Sequence, residues 1–138
     1  MQYSSNPLYP AKLKRSRNGK IFFMKPEAKW KWEYDNEIEQ AISARKAGNE
    51  GMARVCARRA AGIILSEYLI RRGYTNLTNS AIDRLSIFTS IPDVDEHLQD
   101  IANHFLLKVN PDYNLPDGVD LISDAKWLGT NLLLENTD

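Results

Sequence analysis

The sequence predicts an all-α protein, an antiparallel helical bundle of about five helices with a short extended N-terminal arm. Apolar residues recur at spacings of three and four in several segments, which is the period of an amphipathic helix. Gly- and Pro-containing turns separate these segments, and short connections of this kind join antiparallel helices. Residues 60–70 are apolar on nearly every side, which is typical of a helix surrounded by other helices.

Residues 1–25 form the predicted arm. Two prolines and an Asn-Gly pair interrupt this stretch and disfavour a helix. Residues 17–20 predict a turn, and residues 20–25 predict a short strand or an extended segment. The arm is rich in basic side chains, namely Lys12, Lys14, Arg15, Arg17 and Lys20. The chain therefore divides into a basic arm over residues 1–25 and a helical bundle domain over residues 26–138.

Five helices are predicted after the arm. Pro26 favours the first turn of helix 1, and residues 48–51 end that helix with a tight corner. Asp93 and Glu96 form a capping-box-like start for helix 4. The predicted spans are 26–47, 50–72, 79–90, 93–109 and 119–134.

Each predicted helix buries an apolar stripe. Helix 2 is expected at the centre, where Ala60, Ala61 and Gly62 are small enough to let a neighbouring helix approach closely. The inward residues predicted for the other helices are, in chain order, Tyr34, Ile38, Ala41, Ile42; Ile82, Leu85, Phe88; Val94, Leu98, Ile101, Ala102, Phe105, Val109; and Leu121 or Ile122, Ala125, Leu128, Leu132.

The composition is that of an ordinary globular domain. The 138 residues are 43% hydrophobic and 26% charged, which argues against disordered, collagen-like and disulfide-rich classes. No stretch approaches the roughly 18 apolar residues of a membrane helix, and residues 1–7 lack the pattern of a signal peptide. Cys56 is the single cysteine and cannot form an intramolecular disulfide. We therefore expect a cytoplasmic protein with no membrane association, in which Cys56 serves packing.

The net charge is zero, but the charges are unevenly distributed. Residues 1–72 carry 15 Lys and Arg against seven Asp and Glu, whereas residues 73–138 carry three against eleven. Two interpretations stay open. In the first, opposite charges meet, either because the two halves of one chain pack together or because two copies pair head to tail. In the second, the basic half faces a polyanion.

The densest group of cations predicts an anion or phosphate site at Arg45, Arg54, Arg58 and Arg59. Arg54 and Arg58 lie one helical turn apart and within about 40° of each other, so their guanidinium groups could bind one phosphate. The alternative is structural ion pairing. Glu50 stands four residues before Arg54, and acids of the C-terminal half could reach Arg58 and Arg59.

Two further groups of polar residues are weaker candidates for a chemical role. Glu67 has Arg71 four residues later as an ion-pair partner, which leaves it a poor candidate for catalysis. His97, Asp100 and His104 share one edge of helix 4, but the two histidines are roughly 10.5 Å apart along the axis, too far to bind one ion unaided. We expect no metal site.

Recognised catalytic motifs are missing from the sequence. It contains no G-x-G-x-x-G, P-loop, G-x-S-x-G or paired C-x-x-C pattern. Cys56 lies in an apolar helical segment, which raises the pKa of a thiol and disfavours a nucleophile. The sequence therefore predicts no catalytic residue and no cofactor.

A family resemblance covers about residues 27–134. It depends on a Trp-bearing first helix (Trp30, Trp32, then residues 38–41), an Ala-rich second helix ending in residues 68–73, a loop with Tyr113, Pro116 and Asp117, and a last helix with Ala125 and Leu128. This order resembles the HEPN superfamily of small helical domains, which are often dimers and many of which accompany a nucleotidyltransferase.

Ribonuclease members of that superfamily carry an Arg, four to six residues, and then a His. Neither His97 nor His104 completes this spacing here, because the nearest preceding Arg is Arg84. The resemblance therefore implies a non-catalytic relative that binds RNA or a nucleotide, with a nucleotidyltransferase as a candidate protein partner.

Three functional hypotheses follow from the sequence. The first is a non-enzymatic helical binding or interaction module of HEPN-like type that forms a homodimer through exposed apolar residues, with Trp32, Trp127 and Leu133 as candidates. The second is an RNA- or nucleotide-binding protein that uses the arginine cluster and the basic arm. The third is an enzyme with an unrecognised site around Glu67 or His104.

Overall fold

The computed structural model describes residues 13–15, 21–23 and 29–133, and over these residues it is an all-α bundle preceded by two short strands. Strands β1 (Leu13–Arg15) and β2 (Ile21–Phe23) pair antiparallel. Strand β2 lies within residues 20–25, where a short strand was predicted. The rest of the predicted arm, with its turn at residues 17–20, and the predicted start of helix 1 at Pro26 lie outside the described residues.

Five helices follow the strands along the described part of the chain. Each falls within a predicted span and is shorter than that span by one or more residues. Their bounds are α1 (Lys29–Lys46), α2 (Glu50–Arg71), α3 (Ala81–Thr89), α4 (Glu96–His104) and α5 (Leu121–Leu132). The all-α fold class is confirmed.

Helix α2 is the centre of the bundle and packs against α1, α3 and α5. Ile64 and Leu65 are fully buried, as the apolar pattern predicts. Helix α3 passes very close at Gly62, where an added Cβ would lie 2.9 Å from the Cβ of Ala81. The apolar coat does not reach the last turn of α2, because Ile70 is 56% exposed although its neighbour Leu69 is buried.

One predicted core residue of α3 is wrong. Ile82 is 47% exposed, whereas Leu85 and Phe88 are fully buried. The side chain that faces α2 from the first turn of α3 is Ala81, since the close approach at Gly62 admits only a small residue there.

Helix α4 begins later and ends earlier than predicted. Its cap is Asp95, whose carboxylate accepts from the backbone N–H of His97, while Asp93 forms an ion pair with Arg72. A helix that continued to Val109 would use the Phe105 carbonyl as an acceptor within the helix. That carbonyl instead accepts from Arg58, and Val109 is 38% exposed beyond the end of α4.

Helix α5 packs as the sequence predicts and is capped by Asp120. Its predicted inward residues are buried: Leu121, Ile122, Ala125, Leu128 and Leu132. Leu133 is also buried, with only 1% of its surface exposed, so its predicted place on an exposed apolar surface is wrong. The chain leaves helical geometry at Leu133, and this residue joins the core cluster.

Helices α1 and α5 approach closely where Tyr34 of α1 meets Gly129 of α5. A Cβ added at Gly129 would lie 3.0 Å from the hydroxyl oxygen of Tyr34. Burial, with the nearby charge of Asp35, raises the pKa of Tyr34 to about 12, so its phenol stays neutral in this contact.

No helix among the described residues has the length and apolar character that a membrane crossing requires.

Candidate functional site

Arg45 lies in the last turn of α1 and is bound by two carboxylates. Its Nε and Nη2 atoms donate to the two oxygens of Glu50 at 3.0 and 2.7 Å, and its Nη1 atom donates to both oxygens of Asp120 at 3.1 Å. The hydrogen bond from Arg45 lowers the pKa of Glu50. Burial raises the pKa of Asp120, but the hydrogen bonds and charge of Arg45 outweigh burial, so the pKa of Asp120 is lowered too. Arg45 is thus a structural ion-pair centre that joins the α1–α2 corner to the start of α5.

Arg54 lies in the first turns of α2 and is held mainly by a backbone oxygen. Its Nη1 atom donates to the Tyr113 carbonyl at 2.8 Å. The predicted partner Glu50 is 3.8 Å from the Nε atom, which is beyond the range of a charge-assisted hydrogen bond, and it is already bound by Arg45. The predicted pairing of Arg54 with Glu50 therefore exists only as a long contact.

Arg58 follows one turn later and is half-buried beside Arg54. Its Nε atom donates to the Phe105 carbonyl at 3.1 Å. Burial, and then the positive charge of Arg54, lower the pKa of Arg58. The two guanidinium groups are therefore close enough to repel each other, and each of them is anchored on a carbonyl rather than in a bidentate carboxylate pair.

Arg59 belongs to another surface of α2. Its charge acts on Glu37 of α1, where burial raises the carboxyl pKa and Arg59 partly opposes that rise. The four sequence-predicted arginines are therefore not one site. Arg45 and Arg59 lie near acids, whereas Arg54 and Arg58 lie near each other, with Glu50 at 3.8 Å from Arg54.

Arg54 also forms part of an open cleft of about 610 Å³. The opposite wall comes from the connection between α4 and α5, which contributes Lys108, Asn110, Asn114 and Asp117. The lining therefore includes two cations, two amides and one carboxylate, which suits a polar anionic ligand more than an apolar one. We call this feature the Arg54 cleft.

The loop that carries this wall is tied together by its own hydrogen bonds. The Asn110 side-chain oxygen accepts from the backbone N–H groups of Asp112 and Asn114, both at 2.9 Å. The backbone N–H of Asn110 donates to the Asn114 carbonyl, and that of Tyr113 donates to the Asn110 carbonyl, both at 2.8 Å. Tyr113 adopts a φ of 62° and is 77% exposed.

Sequence reasoning missed Lys108 and Tyr113 as members of the site. The sequence marks this loop only through Tyr113, Pro116 and Asp117, which contribute to the family resemblance. The local signal was the Asn110-Pro111-Asp112 run, because Asn side chains commonly bind the backbone two residues later and so fix a loop. The hydrogen bond from Arg54 to Tyr113 spans 59 positions in the chain, and no local pattern encodes it.

The other polar candidates are held in separate contacts. Glu67 pairs with Arg71 at 3.1 Å, as predicted. The Nδ1 atom of His104 lies 2.8 Å from a carboxylate oxygen of Asp124, while His97 packs edge-on against Trp127. The structure does not bring the two histidines to one site. No group of three or more metal-ligand residues occurs among the residues that the structure describes.

Cys56 lies in the core, between α1 and α2. It is 1% exposed, and burial, followed by the neighbouring carboxylate of Glu37, raises the pKa of its thiol. A protonated, buried thiol is a poor nucleophile, and packing is confirmed as a role of Cys56.

Comparison with known proteins adds no assignment, since no family model, no curated protein and no solved structure matches this chain. The HEPN resemblance stays a prediction from sequence pattern. Function must therefore be inferred from the chemistry of the Arg54 cleft and the surfaces around it.

Proposed function

We propose that the protein is a non-enzymatic α-helical binding module that binds a phosphate-bearing ligand, RNA or a nucleotide, at the Arg54 cleft. Arg54 and Lys108 are the cations that line the cleft, and Arg58, which lies one turn after Arg54 and outside the lining, is the third cation in this proposal. The single observation that supports it is the pairing of two adjacent guanidinium groups that are anchored on carbonyls. Neither guanidinium is in a bidentate pair with a carboxylate, although Glu50 lies 3.8 Å from Arg54, so an anion that binds both would relieve their mutual repulsion.

The donor inventory supports the same ligand chemistry. A guanidinium has five N–H donors, and the contacts to Tyr113 and Phe105 use one donor of Arg54 and one of Arg58. Phosphate oxygens accept several such bonds at once, and Arg binds them in a fork geometry. Lys108 lines the same cleft and adds an ammonium group that suits a second phosphate oxygen.

The charge distribution favours this surface as the place where a polyanion binds. The cationic half of the chain includes α2, whereas the connection that faces it is acidic apart from Lys108. A nucleic acid would therefore contact the α2 side of the cleft and be repelled by Asp117 on the other side. Such an arrangement orients a bound strand.

The test is binding of a fluorescently labelled oligouridylate of about twelve nucleotides, followed by anisotropy at salt concentrations from about 50 to about 200 mM. We expect Arg54→Ala plus Arg58→Ala to weaken binding at least about tenfold. The slope of log affinity against log salt is negative, and we expect it to become shallower by about 1.4, the value for two lost phosphate contacts on a single strand.

The matched control is Arg71→Ala plus Arg72→Ala, which removes the same charge from the other end of the same helix. Both arginines are in contact with acids, Arg71 with Glu67 and Arg72 with Asp93. We expect this control to change affinity by less than about twofold. Equal loss in the two double variants, or no measurable binding by the wild-type protein, would contradict the proposal.

A second candidate function is self-association, and exposed apolar residues on α2 favour it. Met52 and Val55 lie about one turn apart and are 45% and 38% exposed. This surface replaces the predicted one as the candidate contact of a homodimer, because Leu133 is buried and Trp32 and Trp127 are half-buried. We expect sedimentation at micromolar concentration to give a dimer, and Met52→Asp to give a monomer. A wild-type protein that is monomeric at that concentration would contradict it. A nucleotidyltransferase partner remains a proposal on the HEPN resemblance alone.

A further inference from the structure

We propose that Tyr113 is a stacking platform for an unpaired nucleobase whose phosphate lies in the Arg54 cleft. This inference rests on the proposed function and narrows its ligand to a nucleoside phosphate with an accessible base. The source of that chemistry is either a free nucleotide or single-stranded RNA, and the experiment below distinguishes the two.

Tyr113 is hydrogen-bonded to Arg54, one of the two cations that line the cleft. Its carbonyl oxygen accepts from Arg54 at 2.8 Å, and it stands between Asn110 and Asn114, which line the cleft. Its side chain is the most exposed of the large hydrophobic residues among the described part of the chain, at 77%. Tyr113 is not itself a lining residue, but its exposed ring belongs to the loop that forms the wall of the cleft, and the backbone of that loop binds Arg54.

The backbone at Tyr113 indicates that this exposure is held in place. A φ of 62° lies in the left-handed region, which is unfavourable for a bulky residue. The hydrogen bonds of Asn110 to this loop, together with the contact from Arg54, fix the conformation despite that cost. The exposed ring of Tyr113 does not pack in the core, so core packing does not account for this backbone strain. Backbone strain of this kind is typical of ligand-binding loops.

The dimensions of the cleft suit one nucleotide unit. A volume of about 610 Å³ lies within the range of small-molecule sites, and its polar lining suits the sugar and phosphate. The base would lie outside this polar space against Tyr113, because bases stack on exposed aromatic rings in single-strand recognition. A duplex has no free base face to offer, so it is excluded as the preferred ligand.

The test compares two substitutions at Tyr113. Tyr113→Phe keeps the ring, and Tyr113→Asn removes it with a residue that tolerates positive φ, so the loop is retained. Thermal unfolding checks that both variants fold. Tyr74→Asn is the control, since Tyr74 is also exposed, at 38%, in a loop away from the cleft lining.

The probes are labelled oligouridylate of about twelve nucleotides, the same strand annealed to its complement, uridine monophosphate, and inorganic pyrophosphate. We expect Tyr113→Asn to weaken binding of the single strand by about fivefold or more, and Tyr113→Phe or Tyr74→Asn to change it by less than about twofold. Pyrophosphate binding should be unchanged by Tyr113→Asn, because pyrophosphate has no base to stack.

Uridine monophosphate identifies the source of the ligand. If Tyr113→Asn weakens binding of the monophosphate as much as binding of the strand, the ligand is assigned as a free nucleotide. If Tyr113→Asn weakens binding of the strand alone, the ligand is assigned as single-stranded RNA. Either result supports the stacking role.

Two results would overturn the inference. One is single-strand binding that survives Tyr113→Asn unchanged, and the other is duplex binding as tight as that of the single strand. If the strand also loses affinity on Arg54→Ala plus Arg58→Ala, the proposed function stands and only the stacking role of Tyr113 fails. If neither change affects binding, both proposals fail.

Discussion

Arg45 and the Arg54–Arg58 pair are neighbours in the sequence but have opposite surroundings in the fold. Arg45 donates four hydrogen bonds to two carboxylates, Glu50 and Asp120. Arg54 and Arg58 donate to the carbonyls of Tyr113 and Phe105. The chemistry of the acceptor therefore divides one basic cluster into a structural group and a candidate binding group.

These contrasting surroundings show that the acceptor of an arginine decides whether its charge is available to a ligand. A carboxylate neutralises a guanidinium, so the cation that it holds has little charge left for a ligand. A carbonyl orients the guanidinium without neutralising it. Anchoring on carbonyls therefore gives preorganised cations, and preorganisation lowers the entropic cost of binding an anion. The predictions that follow test this distinction, starting with the largest expected effect.

Arg45→Ala should reduce stability and leave binding intact. The substitution removes the cation between Glu50 and Asp120 and leaves two carboxylates near each other. The Arg45 side chain is 37% exposed, so we expect a loss of about 1 kcal/mol in the free energy of unfolding, measured with urea at neutral pH. Binding of the oligouridylate should change by less than about twofold. A large loss of binding with unchanged stability would reverse the assignment of the two groups.

The stabilisation by Arg45 should depend on acid pH. Glu50 and Asp120 have pKa values below their ordinary 4.5 and 3.8, so their contribution is present above those values and is lost as the pH falls through the lowered ones. The stability difference between the wild-type protein and Arg45→Ala should therefore shrink towards zero in strong acid. Urea unfolding across the acid range measures it. A difference that stays constant would show that carboxylate pairing is not its source.

Arg54→Ala should have the smallest effect on stability. The residue donates to a single carbonyl in an exposed loop, and the contact to Glu50 is long. We expect a change within about 0.5 kcal/mol, and a smaller change in the acid dependence described above than Arg45→Ala causes, because the charge of Arg54 lowers the pKa of Glu50 less than Arg45 does. A loss as large as that for Arg45→Ala would mean that Arg54 is a structural residue like Arg45.

Much of the fold could be predicted from the sequence because local periodicity encodes it. The apolar stripe of α5 and the central position of α2 both follow from side-chain spacing. The errors occur where a tertiary contact decides. Helix α4 ends at His104, and the carbonyl of the next residue accepts a hydrogen bond from Arg58, 47 positions away. Ile82 is exposed because the preceding residue, Ala81, is the one that packs against Gly62 of α2.

The candidate site was predictable only in part for the same reason. Helical spacing placed Arg54 beside Arg58, and the fold retains that arrangement. The separation of Arg45 from them depends on Asp120, which is 75 positions along the chain. Tyr113 and Lys108 entered the site through a loop whose position over α2 is set by the whole bundle. Residue types gave the chemistry, and long-range packing selected which residues share a cleft.

The most direct test of the central claim is the salt dependence of oligouridylate binding by the wild-type protein, Arg45→Ala and Arg54→Ala plus Arg58→Ala. If carbonyl-anchored arginines bind the ligand, the negative slope of log affinity against log salt becomes shallower by about 1.4 in the double variant and stays at the wild-type value in Arg45→Ala. A slope that becomes shallower in Arg45→Ala while the double variant keeps the wild-type value would contradict the claim.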